Sequence, residues 1–168
     1  EVDKGPDGFP TLFAVYGPKL YMMVNEDDTY IPQEIYSSLT NYNTPVHMTQ
    51  TGGSHPHLVI VDGANVIAVD ATLSLEGMRN DIRSIQLPYR VDSTTQRIVP
   101  THVAYTYNYL IVNDSTTDNI YFSHEFPFEN TTSTDEIDYD IFMVNSVQYR
   151  DYGFHEQASW SPDNVTAS

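Results

Sequence analysis

The chain has 168 residues, 40% of them apolar and 12% aromatic, which suits one globular domain with a sizeable core and excludes a disordered chain. Seven Lys and Arg stand against 23 Asp and Glu, a formal net charge of −16, and so acidic a chain disfavours binding to a phosphate backbone or to anionic lipid. There are no cysteines, which excludes disulfides and thiolate metal sites.

Residues 1–10, EVDKGPDGFP, read as an extended linker, because Pro6, Gly8 and Pro10 exclude a regular helix or central strand. No basic segment followed by an apolar one is visible there, so a signal peptide is not expected. The missing Met and abrupt start read as an excised domain or a proteolytic product. Strands are expected at 11–16 and 20–24, with an acidic turn, NEDD, at 25–28. The segment 31–39 is the best short helix candidate: Pro32 suits a first turn, and Ile31, Ile35 and Leu39 recur every fourth residue. Residues 46–50 read as a strand. Residues 57–71 form the clearest hairpin, two β-branched runs around Asp62-Gly63-Ala64-Asn65. A helical turn is expected within 73–82 and a strand at 82–91, ended or pushed to an edge by Pro88.

The strongest strand signal is 102–112, HVAYTYNYLIV, read as one strand with Val103, Tyr105, Tyr107, Tyr109 and Ile111 on one face. That aromatic stripe is either cross-strand packing or a ligand platform. Strands at 119–126 and 140–149 complete the set, around an acidic loop at 129–140 and before a frayed tail at 161–168. The pattern predicts a mainly β or α+β chain: a single domain on an antiparallel sheet, with one or two short helices and long loops.

The stretch TQTGGSHPH concentrates reactive residue types. Ser54 follows Gly52 and Gly53 and precedes His55 and His57, with Asp62 and Asp70 downstream. A serine nucleophile needs a base, an orienting carboxylate and backbone donors for an oxyanion. Ser54 is the candidate nucleophile, His55 or His57 the base, and Asp70 or Asp62 the orienter, with the Gly52 and Gly53 amides as oxyanion donors. His124 is a further spatial partner. The nucleophile-elbow pattern is absent, because Pro56 stands where a second glycine is required. The competing reading is a Gly-Ser loop leading into a strand.

Other ligand patterns are weaker. His55 and His57 lack an evident third metal ligand. The clusters Glu26-Asp27-Asp28 and Asp135-Glu136-Asp138-Asp140 do not match the EF-hand loop and read as solvated acid. No metal or cofactor is expected, and a calcium- or glycan-binding β module stands as a further alternative reading. Asn113, Asn130 and Asn164 open glycosylation-type triplets, read here as ordinary loops.

Pro6-Asp7-Gly8-Phe9-Pro10, followed by a Tyr-, Thr- and Asn-rich β domain, resembles the protruding domain of iflavirus capsids. The resemblance implies a surface projection of the third major capsid protein in a picornavirus-like virion. It implies attachment to host cells and passage into them, through an unknown receptor or membrane component. Its other implied partners are capsid proteins of the same virion, assembled in the host cytoplasm, with no direct contact to nucleic acid. In this light residues 1–10 tether residues 11–160 to the shell, and Tyr105, Tyr107 and Tyr109 belong to an attachment surface. The resemblance also implies an Asp-His-Ser constellation like that of lipases, esterases or proteases, for which Ser54, His55 and Asp70 are the mapping.

Overall fold

The structure is a computed structural model that describes residues 10–40, 45–53, 55–90, 93, 95–117, 119–125 and 155–156, together with Gly5 and Pro6. Eleven strands and one helix are assigned among them. They run β1 (Leu12–Tyr16), β2 (Lys19–Glu26), β3 (Thr29–Tyr36), β4 (His47–Gln50), β5 (His57–Val61), β6 (Val66–Asp70), α1 (Leu75–Asn80), β7 (Arg83–Ile85), β8 (Val103–Thr106), β9 (Tyr109–Asn113), β10 (Asn119–Glu125) and β11 (His155–Glu156). Three antiparallel sheets result, ordered β1-β2-β3, β4-β5-β6-β7 and β11-β10-β9-β8.

The β5–β6 hairpin lies between the other two sheets. Val59, Val61, Val66 and Ala68 share a core with Val103, Leu110, Val112 and Tyr121 of the third sheet. Leu58, Ile60, Ile67 and Val69 share a second core with Phe13, Leu20, Met22 and Ile35 of the first. This explains why LVIV, residues 58–61, is an unbroken apolar run instead of an alternating one: both faces of the strand are buried. Each fully buried aliphatic side chain contributes about 1.5–3 kcal/mol, so a hairpin that feeds both cores is a large contributor to stability.

The predicted helix at 31–39 is instead β3. A spacing of four is even, so it satisfies the two-residue period of a strand as well as a helical turn. Pro32 is tolerated because β3 is an edge strand and Pro32 itself is exposed. Met78 anchors α1 in the second core, and the Ser74 side chain caps it by accepting from the Gly77 amide at 3.2 Å. The strand expected at 82–91 is confined to β7, after which Tyr89 and Arg97 form an isolated bridge.

The single strand expected at 102–112 is a hairpin. Tyr107 and Asn108 take left-handed φ angles of 47° and 67°, the pattern of a tight two-residue turn. Thr106 then pairs with Tyr109, and Tyr105 with Leu110. The reversal breaks the predicted stripe. Val103 and Tyr105 continue across the pair into Leu110 and Val112 on the core face, whereas Tyr109 and Ile111 occupy the other. The predicted strand at 140–149 and the tail at 161–168 lie outside the described residues.

Candidate functional site

The TGGSHPH stretch connects β4 to β5 and is tied at its base. The Thr51 amide donates to the His57 carbonyl at 2.9 Å, and the His57 amide donates to Thr51 Oγ1 at 2.8 Å. Both residues are buried. Gly53 turns the chain with φ 94°, a conformation that favours glycine. Pro56 is buried, and its carbonyl accepts from the Ala71 amide at 3.0 Å. Gly52, Gly53 and His55 face solvent. Ser54, the candidate nucleophile, lies outside the described residues, as do Asp7, Gly8 and Phe9 of the PDGFP motif.

The two histidines of this loop differ sharply. His57 is buried, and its Nδ1 donates to the His55 carbonyl at 2.9 Å, which pins the loop from inside. Burial pushes its pKa below the ordinary imidazole value, against the opposing pull of Asp70. His55 is exposed, with Nδ1 3.5 Å from Thr72 Oγ1, the long limit of a hydrogen bond. Thr72 Oγ1 in turn donates to Asp70 Oδ1 at 2.6 Å, and the Thr72 amide donates to the same oxygen at 2.8 Å.

Asp70 and His55 are therefore joined through Thr72, a residue that motif spacing did not single out. Its only sequence signal is its place two residues after Asp70, where an Asx-type turn brings it back to the carboxylate. Because Thr72 Oγ1 donates to Asp70, it can only accept from the His55 ring, an order that favours the proton on His55 Nδ1 over Nε2.

Asp62 does not serve as the alternative orienter. It stands at the opposite end of β5 from His57, about 16 Å along the strand. Its carboxylate accepts from the amides of Thr40 (2.7 Å), Ala64 (3.0 Å) and Asn65 (2.7 Å). Burial raises its pKa, but these donors outweigh burial and hold the carboxyl below the usual range. Asp62 is the hub of the β5–β6 turn.

The tyrosines separate in the same way. Tyr105 is half-buried against the core shared by the second and third sheets, and its hydroxyl donates to Asn108 Oδ1 at 3.0 Å. Tyr109 is half-buried on the opposite face, while Tyr107 is 90% exposed at the tip. The hairpin stands beside the β4–β5 loop, since a Cβ on Gly52 would lie 3.5 Å from Tyr105 Cε1. The uncharged tip YTYNY and the GG loop thus make one surface on a strongly acidic chain.

Two further features set limits. Among the described residues no three His, Cys, Asp or Glu side chains converge as a metal site. Asn113 is 3% exposed, with its amide oxygen accepting from the Thr101 and His102 amides, so it is closed to glycosylation in the folded chain. An open cleft of about 790 Å³ lies elsewhere, between the first sheet and the start of α1, lined in part by Pro6, Pro10, Leu12, Met23, Tyr30 and Leu75. Comparisons with protein-family models, with curated proteins and with solved structures return no match for this chain.

Proposed function

We propose that this chain is a virion-surface protruding domain of a picornavirus-like capsid protein, and that it attaches to host cells through the β8–β9 turn. One observation carries the choice of surface. Tyr107, a bulky residue, is held at φ 47° and is 90% exposed. Left-handed backbone costs such a residue about 1–3 kcal/mol, and no burial offsets it. A strained, solvent-facing tyrosine on a well-anchored hairpin suits recognition, because the ring offers contact area and the hydroxyl a hydrogen bond at small entropic cost.

The reading is also supported by the resemblance in PDGFP and by charge, since a net −16 keeps the chain off nucleic acid. No described helix is long and apolar enough to cross a membrane. The test replaces Tyr107 by Asn, which suits the turn better than Tyr. Binding of labelled protein to host cells should fall while thermal stability holds or rises. Undiminished binding by the Tyr107→Asn variant would remove the turn from the attachment surface.

A second reading, serine-hydrolase-like activity that aids membrane passage, is favoured by the Asp70–Thr72–His55 chain. In it His55 is the base, Asp70 acts through Thr72, and Ser54 is the nucleophile. Fluorophosphonate labelling of wild type, absent in Ser54→Ala, is the expected result; equal labelling of both, or none, rejects it.

A further inference from the structure

His47 and His102, 55 positions apart in sequence, face each other where the second sheet meets the third. Their ring centroids are 5.0 Å apart with the planes tilted by 50°. His47 opens β4, the edge of the second sheet. His102 directly precedes β8, the edge of the third. The Val103 amide, at the start of β8, donates to His47 Nδ1 at 3.3 Å, so one strand edge is bonded to the other through an imidazole.

That bond needs a nitrogen with a free lone pair. Protonation of His47 would set an N–H against the Val103 N–H and remove the acceptor. Protonation of both rings would add like-charge repulsion across the same 5.0 Å. Among the described residues nothing nearby compensates, and neither ring is in an ion pair with a carboxylate. β4, β8 and β9 carry no Asp, Glu, Lys or Arg, and β5 contributes only His57 at its far end.

The acids just beyond these strands are already engaged. Asp62, one residue past the His47 partner Val61, is enclosed by the donors of its turn. Asp114, one residue past β9, is paired with Arg90 at 2.9 Å. Burial, with His47 acting in the same direction, holds the His102 pKa below its ordinary value. Thr101 Oγ1 lies 3.1 Å from His102 Nδ1 and accepts from Asn113 Nδ2, so its own proton is free to point at the ring.

We propose that the His47–His102 pair is an acid-operated latch, which releases the β4 edge from the β8 edge when both rings are protonated. The two sheets stay joined by their common core, so the release is local. It loosens the β8–β9 hairpin and the neighbouring β4–β5 loop without unfolding the domain. This stands apart from the recognition reading and survives its failure.

Hydrogen exchange on the full chain at about pH 7.5 and about pH 5.5, corrected for intrinsic rates, tests it. Residues 47–50 and 101–106 should lose about tenfold protection in acid relative to β5 and β6. His47→Asn, whose side-chain oxygen still accepts but does not titrate, should abolish most of that loss. Unchanged protection in wild type, or an equal loss in His47→Asn, overturns the latch. Should that variant not fold, imidazole proton shifts in wild type decide. Stepwise, coupled titration of the two rings upholds the latch, and independent titration as ordinary imidazoles overturns it.

Discussion

The ring of Tyr105 lies against the backbone of Gly52, at 3.5 Å from Cε1 to the point where a Cβ would stand. This contact joins the loop rich in nucleophilic residue types to the hairpin that presents Tyr107. It also separates the roles of two tyrosines that the alternating pattern placed on one face.

Tyr105→Ala should cost about 2 kcal/mol, because half-buried ring surface against the core is lost. Tyr107→Ala should change stability by less than about 0.5 kcal/mol, since the ring is 90% exposed. Urea unfolding of the two variants beside wild type measures both. Equal losses would mean that the turn is packed instead of presented.

Arg90→Met should destabilise the chain by about 3–5 kcal/mol. Asp114 is fully buried, and Arg90 Nε at 2.9 Å is its cationic partner. The Asp114 carboxylate also organises its surroundings, accepting from the Val99 amide at 3.2 Å and from Thr116 Oγ1 at 2.7 Å. Lys19→Met, which breaks the exposed pair with Glu34, should leave the urea midpoint unchanged. The contrast is the test, because both changes remove one positive charge.

Stability should fall as pH drops below about 6.5, the unfolded value for histidine. His57 and His102 both have lowered pKa values, chiefly from burial. In that window the unfolded chain binds protons that the folded chain refuses, so acid favours unfolding, and raising the pH restores stability. Urea midpoints between about pH 7.5 and about pH 5 should show this slope. It should be shallower in His57→Gln. A flat profile in wild type would contradict the burial of these rings.

Asp62→Ala should cost about 2–3 kcal/mol, because the Thr40, Ala64 and Asn65 amides lose their acceptor. With its pKa held below the unfolded value, Asp62 adds stability that is present above about pH 3.8 and lost as pH falls through the lower folded value. The variant should therefore lose less stability than wild type on titration to about pH 2, followed by circular dichroism.

Local pattern made much of this architecture readable. The β5–β6 hairpin, a helical turn within 73–82 and the antiparallel β class follow from β-branched runs and turn residues, which act over a few residues. The errors have equally specific causes. Ile31 and Ile35 satisfy helix and strand periods alike. The reversal at Tyr107-Asn108 lacks the glycine that marks most such turns, although Asn108 is itself a residue that tolerates left-handed backbone.

Composition alone determined that the chain is disulfide-free and strongly acidic, and periodicity determined that it is built of strands. Only the tertiary structure decided which side chains meet. The strand pattern specifies which way a residue faces within its own sheet, but not which strand edge of another sheet lies opposite. His47 and His102 come together only because two sheets close over one core. Thr72 reaches between Asp70 and His55 only because β6 returns beside β5 and the chain then turns back on Asp70. Such contacts depend on how the layers stack, and stacking is settled by burial summed over the whole chain.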